Sequence, residues 1–414
     1  MERIQSLLGL FALVFVSWIL SEERRKINFK AILIGLGLQI GLALLLLKLP
    51  GSQSFFLLLN KAVQAIEEST KAGTSFVFGY LGGGLLPYDE KSPGLNYIFA
   101  FRGLPLVLVI SAISSLLFYW KILPVFVRSF SWFLRRTMGL GGVEGLGTAA
   151  NIFVGMVESP LLTKPYLPDI SRSELFTVMA SGMATIAGTV MVLYATLLNK
   201  VIPGIMGHLL TASIISAPAA VTISKLMIPE TGQVSTGKVE LPRTARNSID
   251  AITQGTLDGI KLLINIIAML VVLVALVHLL NLLLGLFPPF SGEPITLQRL
   301  LGYIMAPVMW LTGIPWSEAI ISGSLMGTKT VLNEFIAYAE LARLPEGILS
   351  SRTEIILIYA MCGFANFGSL GIMIGGMGAM VPQRREEIVS LGIKSIIAGT
   401  LATCMTGAVV GLLY

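Results

Sequence analysis

Long apolar runs recur along the whole chain, and they constrain its fold more than any other feature of the sequence. Eight of them approach or exceed the length of about 20 residues that an α-helix needs to cross a bilayer. They lie at 4–20, 31–47, 104–123, 175–198, 205–227, 260–287, 355–381 and 388–413. Of the 414 residues 54% are hydrophobic and only 13% charged. The sequence therefore predicts one polytopic integral-membrane unit with eight transmembrane helices.

The spanning segments are predicted to be α-helices, which gives an all-α polytopic membrane protein. None shows the ten-residue alternation of a membrane β-barrel, and an unpaired strand edge in lipid leaves backbone groups unsatisfied. The first run is followed by Ser21-Glu22-Glu23-Arg24-Arg25-Lys26 and has no small-residue cleavage site, so we interpret it as a retained helix rather than a signal peptide.

Basic residues lie in short clusters between the apolar runs, which predicts the orientation. The clusters are Arg24-Arg25-Lys26, Lys121 with Arg128, Arg135 and Arg136, Arg243 with Arg246, and Arg384-Arg385. If eight helices alternate, all four clusters fall on one side, which is the cytoplasm by the positive-inside rule. Both termini then face outward, 51–101 is an external loop with some helix, and 126–138 is an amphipathic helix at the inner interface. Because no continuous basic stripe exists, nucleic acid is not expected as a partner.

Two moderately apolar segments, 141–166 and 313–341, do not fit the helix count. Each is broken by Gly and Pro, and each carries an Asn and a Glu. Such segments are typical of re-entrant hairpins, because non-helical backbone at membrane depth is tolerated only where protein buries it or where it lines a watery cavity. The sequence predicts a binding site there.

An internal repeat supports this interpretation. A broken segment, a Gly-rich helix and a Gly/Ala/Thr-rich helix occur at 141–227 and again at 313–413, with 181–188 aligned on 362–369. This register matches Gly with Gly and places Thr185 opposite Asn366. One repeat begins inside and the other outside, so we expect the inverted topology of many secondary transporters.

Polar groups at membrane depth are the candidate site residues, since ionisable side chains there cost about 2.5–3.5 kcal/mol on insertion scales. They are Glu158 in the first hairpin, Glu334 in the second, and Asn366 with Ser369 in the next helix. Together they suit a neutral, hydroxyl-rich solute, because their oxygens can accept hydrogen bonds from its O–H and N–H groups. The alternative is that the two glutamates only form structural ion pairs with Lys164 or Lys329.

Other function classes receive little support from the residues. Cys362 and Cys404 lie in apolar segments and are expected to be core residues, and His208 and His278 lack a second ligand at helical spacing. We find no HExxH motif, no P-loop and no Ser-His-Asp arrangement, so an enzyme is not expected and a lipid-modifying enzyme is only a weak alternative. Two closed hairpins disfavour a channel, and the lack of arginine in either hairpin core disfavours a carboxylate carrier.

Three motifs in order resemble the signature of the concentrative nucleoside transporter family. They are Ala150-Asn151 through Gly155, Glu158 and Pro160; Lys329 through Asn333-Glu334-Phe335 with Ala337-Tyr338; and Cys362-Gly363-Phe364-Ala365-Asn366. The resemblance extends over the length of the chain. It implies a bacterial inner-membrane, multi-pass sodium–nucleoside symporter with no cofactor, embedded in lipid as a homotrimer and operating by an elevator mechanism.

The resemblance also implies a domain organisation. Scaffold helices and the inner interfacial helix would occupy 1–140, and the first transport-domain repeat 141–227. A cytoplasmic loop, a long scaffold helix and an external interfacial segment would follow at 228–312, and the second transport-domain repeat at 313–414.

Site residues are carried over from the family in three groups. The ribose would be held by Glu334, Asn366 and Ser369, with Phe364 nearby, and the base by Met156, Val157, Glu158 and Val190. Sodium, the coupling ion, would be bound by Asn151, Val154, Thr185 and Ile186 through side-chain and backbone oxygens, which suit a hard cation. Thr185 replaces the usual Ser of the family and retains the hydroxyl. Proton coupling through Glu158 is the alternative, because a desolvated carboxylate can bind a proton.

The chain departs from the common Gly-Gln-Thr-Glu pattern of the family at the first hairpin. It has Gly155-Met156-Val157-Glu158, which removes two hydrogen-bonding side chains from the expected base site. A polarizable Met can stack against a larger ring system. We therefore expect purine nucleosides or a broad range of nucleosides as substrates, although an elevator carrier for another polar solute remains an alternative.

Overall fold

The computed structural model describes residues 2–48, 52–88, 97–199, 202, 204–235, 245–290, 292 and 294–414. Arg243, part of one predicted basic cluster, lies outside them. All 18 α-helices of the described residues are named here. The first nine are α1 Glu2–Ile19, α2 Phe29–Lys48, α3 Ser52–Phe78, α4 Phe99–Arg102, α5 Leu106–Tyr119, α6 Ile122–Met138, α7 Gly142–Asn151, α8 Glu158–Thr163 and α9 Arg172–Ala184. The other nine are α10 Gly188–Leu198, α11 Ile205–Met227, α12 Ser248–Leu284, α13 Leu297–Leu311, α14 Trp316–Val331, α15 Glu334–Leu341, α16 Ser351–Met361, α17 Phe367–Met380 and α18 Arg385–Leu413.

Seven helical segments of the described chain are long and apolar enough to cross a membrane. They are α1, α2, α4 with α5, α9 with α10, α11, α12, and α18 with its preceding turn. The remaining predicted span, 355–381, corresponds to two helices in the structure, α16 and α17. The prediction that 355–381 is one continuous helix is wrong, because residues 362–366 are not helical. The predicted span 175–198 is likewise interrupted, at residues 185–187.

The two breaks correspond only partly under the predicted repeat register. Thr185 and Asn366 both lie at a break, as the register requires. The second break extends four residues towards the N-terminus from Asn366, whereas the first extends two residues towards the C-terminus from Thr185. A polar residue therefore occupies the same position in both repeats, whereas the non-helical backbone around it covers different positions.

Both predicted hairpins are helix–turn–helix units. In the first, α7 ends at Asn151 and α8 begins at Glu158. In the second, α14 ends at Val331 and α15 begins at Glu334. The first hairpin is closed by Ser159 Oγ of α8, which donates a hydrogen bond of 2.6 Å to the Gly147 carbonyl of α7. The preceding α13 meets α14 at an angle of 119°, as expected of an external segment that turns into the hairpin.

The predicted interfacial helix is present as α6, although it begins four residues earlier than expected. Lys121, with a φ of 64°, separates it sharply from α5, and Gly139 ends it in the left-handed region. The predicted external loop at 51–101 contains more helix than expected, because α3 alone is 27 residues long.

The core lies around the helices that follow the first hairpin. In the most apolar windows, 89% of α9 with α10 and 83% of α11 is buried, against 6% of α12. Helix α12 packs on α5 through Gly255 and Gly259, where an added Cβ would lie 2.6 Å from the Ser111 carbonyl oxygen and 3.0 Å from Leu108 Cα. Helix α12 thus stands at the edge of the molecule, with most of its apolar surface uncovered within one chain.

An ion-pair network joins the loop after α1 to α9 and α18. Glu22 contacts Arg172 at 3.0 Å and also pairs with Lys394, while Arg172 lies 3.5 Å from Glu387. The hydrogen bond from Arg172 lowers the pKa of the Glu22 carboxyl, with Lys394 adding to the effect. Because Glu22 lies outside the membrane segments, this network connects the ends of three helices rather than their interiors.

Candidate functional site

The two helix breaks meet in the interior of the protein. The backbone N–H of Phe364 donates to the Thr185 carbonyl at 3.3 Å, which joins the second break to the first. An added Cβ at Gly363 would lie 2.8 Å from the Met183 carbonyl oxygen, so only glycine permits this approach. Polar groups freed by each break are thereby brought into one region.

Glu334 is the centre of the second-hairpin cluster. It is the first residue of α15, where the helix dipole favours a carboxylate. Its Oε1 accepts a hydrogen bond of 2.6 Å from the Tyr194 hydroxyl, and its Oε2 accepts one of 3.0 Å from Asn366 Nδ2. With only 3% exposure, Glu334 is held by partners on both oxygens.

Asn366 is fixed by its place at the start of α17. It is the N-cap residue of that helix, and its Oδ1 accepts a 2.7 Å hydrogen bond from the backbone N–H of Ser369. The same side chain donates to Glu334 from its other end. Asn366 therefore precedes the helix in which it was predicted to lie, and it contacts Ser369 as a helix cap. Phe364, which is half-buried, lies two residues before Asn366 in the break.

Asn151 and Thr185 meet on the other side of the breaks. The Thr185 hydroxyl donates to the carbonyl oxygens of Asn151 at 2.9 Å and Ser181 at 2.8 Å. Asn151 Nδ2 donates to the Val178 carbonyl at 3.4 Å. Asn151 Oδ1 is buried and has no hydrogen-bond partner within the described residues. A buried amide oxygen without a partner is costly, and a cation would satisfy it.

Backbone oxygens complete this oxygen-rich region. In the described chain, no hydrogen bond is made to the carbonyls of Val154 in the hairpin tip or Ile186 in the break. The neighbouring Phe153 carbonyl accepts the backbone N–H of Gly188 at 3.0 Å, so the tip lies against the first turn of α10. The residues present fit a hard cation such as sodium, because all of the available groups are oxygens. The described residues contain no cluster of His, Cys, Asp and Glu that could hold a transition metal.

The four residues predicted to face the base lie around the tip of the first hairpin. Met156 packs on Gly182, where an added Cβ would lie 2.9 Å from Met156 Cβ, and Val157 approaches Gly376 of α17. Glu158 folds back over Gly155, where a Cβ would collide with its carboxylate. Val190 is buried in α10.

Glu158 differs from its neighbours in its surroundings. It is exposed to solvent although protein atoms surround it on most sides, which is the environment of a residue on the wall of a cavity. No described side chain hydrogen-bonds its carboxylate. The tip therefore presents apolar groups and one accessible carboxylate.

The described residues do not support the alternative that the two hairpin glutamates form structural ion pairs with Lys164 or Lys329. Neither hairpin glutamate lies within 4.0 Å of a lysine, and Lys329 Nζ is buried without a hydrogen-bond partner. Lys164 is exposed. Separately, His208 of α11 hydrogen-bonds the Tyr359 hydroxyl at 3.0 Å, as an ordinary packed histidine does.

Sequence reasoning missed Tyr194. It lies one helical turn after Val190 on α10 and is 3% exposed. The spacing of four residues places Tyr194 on the same face of the helix as Val190, but it does not identify the group that the tyrosine hydroxyl contacts. Its hydroxyl is what connects α10 of the first repeat to the second hairpin.

Comparisons with known proteins agree along the whole chain. Family models described as Na+ dependent nucleoside transporter, C-terminus and N-terminus, match residues 208–411 and 8–81, and one described as nucleoside recognition (Gate) matches 100–201. The chain is 35% identical to the nucleoside permease NupC of Helicobacter pylori, over 98% of this chain and 97% of the permease.

Solved structures give the same picture. The structure of CNTnw in an inward-facing substrate-bound state matches with a TM-score of 0.91 and 34% identity, over 100% of this chain and 98% of that one. A CNTnw variant in an outward-facing state matches with a TM-score of 0.90 and 33% identity, also over 100% and 98% of the two chains.

Proposed function

Because the chain belongs to the concentrative nucleoside transporter family, we propose that it imports nucleosides as a symporter driven by the sodium gradient. The observation that carries the coupling is the buried Asn151 Oδ1, which has no hydrogen-bond partner among the described residues, while the Thr185 hydroxyl contacts the Asn151 backbone carbonyl and the Val154 and Ile186 carbonyls are also without a described partner. These four residues would hold the sodium ion. The ion would supply charge that satisfies the oxygens and would hold the first hairpin tip against the break between α9 and α10.

The nucleoside would lie between the two hairpin tips. Glu334, Asn366 and Ser369 would accept and donate hydrogen bonds to the ribose, with Phe364 beside it. Met156, Val157, Glu158 and Val190 would face the base. Because the base site offers few polar groups, we propose purine or broad base specificity, since rejection of a wrong base depends on leaving buried polar groups unpaired.

Movement and assembly are proposed from the edge of the fold and from the family. Helix α12 is the most apolar span, with a mean window hydropathy of 2.9, yet only 6% of that window is buried within the chain. Such a surface suits contact with lipid and with other copies in a homotrimer. The likeness to CNTnw in both inward-facing and outward-facing forms supports an elevator motion in which the hairpin repeats move against α5 and α12. The proposed location is the bacterial inner membrane.

Uptake into proteoliposomes tests the proposal. Labelled inosine and uridine are supplied to purified, reconstituted protein with an inward sodium gradient, and separately with an inward proton gradient without sodium. We expect sodium-dependent uptake with inosine at least equal to uridine. Absence of uptake of both nucleosides under either gradient would overturn the substrate assignment, with protein-free liposomes as the control.

Proton coupling is the second candidate, favoured by one observation. Glu158 is accessible to water and has no side-chain partner among the described residues, so it can exchange a proton. Uptake driven by protons alone, and lost in Glu158→Gln, would transfer the coupling to this residue.

A further inference from the structure

Tyr194 lies at the proposed ribose site and contacts Glu334 through its hydroxyl. Its hydroxyl donates to Glu334 Oε1 at 2.6 Å, while Asn366 donates to Oε2 at 3.0 Å. Tyr194, Glu334 and Asn366 are 3%, 3% and 1% exposed. A ribose hydroxyl that reaches Glu334 thus meets a carboxylate whose two oxygens are both shielded and both already accept a hydrogen bond.

Each carboxylate oxygen can accept a second hydrogen bond, but burial leaves little room around Glu334, and the surroundings indicate which of its two partners can move aside for a ribose hydroxyl. Asn366 is anchored at both ends, since its Oδ1 caps α17 through Ser369 while its Nδ2 contacts Glu334. The Tyr194 hydroxyl makes its one side-chain hydrogen bond to Glu334. Its ring packs beside Tyr338 and Phe335, with centroids 5.4 and 6.2 Å away, and a small change in the Tyr194 χ1 angle moves the hydroxyl without disturbing a helix end.

We propose that the Tyr194 hydroxyl occupies, on Glu334, the donor position that a ribose hydroxyl takes when a nucleoside binds. The exchange replaces one O–H donor by another on the same carboxylate oxygen, so Glu334 keeps its hydrogen bond, while the displaced Tyr194 hydroxyl gives up its own. Tyr194 is therefore a specificity-determining residue: it keeps Glu334 satisfied when the sugar lacks that hydroxyl. This inference rests on the proposed function.

The consequence is a selectivity that depends on the tyrosine hydroxyl. In Tyr194→Phe, a nucleoside with the hydroxyl still satisfies Glu334, whereas a deoxynucleoside leaves a buried charged oxygen unpaired. An unpaired buried acceptor is costly enough to change a dissociation constant about tenfold. The ratio of deoxynucleoside to nucleoside Kd should therefore rise about tenfold in the variant, for the one sugar position that faces Glu334.

The test measures Kd by calorimetry for inosine, 2′-deoxyinosine and 3′-deoxyinosine on the full-length purified transporter at saturating sodium. Tyr338→Phe is the matched control. Tyr338 is an equally buried tyrosine beside Tyr194, but its hydroxyl donates to the Ile358 carbonyl at 2.9 Å rather than to Glu334. We expect the Kd ratio for one deoxynucleoside to rise in Tyr194→Phe and to stay at the wild-type value in Tyr338→Phe.

Two results would overturn the inference. Unchanged ratios for both deoxynucleosides would show that the hydroxyl does not substitute for a ribose hydroxyl. Equal weakening of all three ligands would make Tyr194 a positioning residue for Glu334. If Tyr194→Phe does not fold, Tyr194→Met fills a similar volume without a hydroxyl and is judged by the same ratio. Lack of inosine and uridine binding by the wild-type protein would instead be a failure of the proposed function.

Discussion

The two re-entrant hairpins each begin their return helix with a glutamate, Glu158 in α8 and Glu334 in α15, yet the two carboxylates have different surroundings. Glu334 is buried and accepts hydrogen bonds from Tyr194 and Asn366 on its two oxygens. Glu158 is exposed, and no described side chain hydrogen-bonds its carboxylate. The helix dipole favours both, so the difference comes from the packing around them.

From this difference we assign a different part of the substrate to each hairpin. A carboxylate held on both oxygens is preorganised for a fixed partner, and the ribose is the part common to all nucleosides. A carboxylate on a cavity wall can adapt to a variable partner, which is the role of the base. The first hairpin also carries Asn151, so we assign it both the cation and the variable end of the substrate.

Glu334→Gln is expected to have the largest effect. One end of the new amide is an NH2 group, which must face either the Tyr194 hydroxyl or Asn366 Nδ2, and both of those donate in the wild-type site. Losing a buried charged acceptor and placing two donors together should reduce uptake about 100-fold or more. Initial rates of inosine uptake in proteoliposomes measure the loss.

Glu340→Gln is the matched control, because Glu340 lies on the same helix six residues later and is half-buried. Its uptake should stay within about twofold of wild type. If Glu334→Gln melts at the wild-type temperature and keeps more than a third of the uptake, the ribose assignment fails and the contrast between the hairpins has no functional meaning.

Thr185→Val tests the cation side of the comparison and should come next in size. Valine keeps the shape but removes the hydroxyl that contacts the Asn151 carbonyl. We expect the sodium concentration for half-maximal uptake to rise about tenfold, equivalent to about 1.4 kcal/mol, with little change in nucleoside affinity at saturating sodium.

Thr222→Val provides the comparison for Thr185→Val. Thr222 is likewise a buried threonine, but it lies within α11, and among the described residues its hydroxyl donates only to the Pro218 carbonyl of the same helix, at 2.8 Å. It should leave the sodium dependence unchanged. An unaltered sodium dependence in Thr185→Val as well would remove the hydroxyl from the ligand set.

Glu158→Gln should have a smaller effect than either, because its carboxylate is accessible to water and gives up no side-chain hydrogen bond. We expect inosine uptake to fall about fivefold at saturating sodium. Asp169→Asn, an exposed carboxylate in the segment after α8, controls for loss of charge and should have no effect. A loss as large as that of Glu334→Gln would mean that the two hairpins are equivalent after all.

The sequence was sufficient for the fold class because the driving forces act along the chain. Apolar runs set the spans, and Asn, Glu and Pro within weakly apolar segments indicated the hairpins. The helix breaks could not be located, because the glycines near them, such as Gly188 and Gly363, are also common inside transmembrane helices and so do not mark where a helix ends. What opens them is the approach of Gly363 to the Met183 carbonyl, a contact between segments distant in sequence.

The site was predictable only where a residue is unusual at membrane depth. Glu158, Glu334 and Asn366 stand out among apolar neighbours, and the structure brings Glu334 and Asn366 into contact. Tyr194 did not stand out, because a tyrosine in an apolar helix is ordinary. Its importance depends on which carboxylate its hydroxyl reaches across the repeat interface, and a pattern in one segment does not contain that information.

Met156→Gln should have the smallest effect, and it tests directly how the first hairpin selects the base. Met156 is 8% exposed and packs on Gly182, so a glutamine of similar length fits and adds a donor and an acceptor beside the accessible Glu158. We expect the uridine to inosine ratio of uptake to rise about threefold, because polar readout favours the smaller, more polar pyrimidine ring. Met156→Leu keeps the site apolar and should leave the ratio unchanged. If both variants shift the ratio equally, side-chain shape rather than hydrogen bonding selects the base, and the adaptable end of the site is governed by packing.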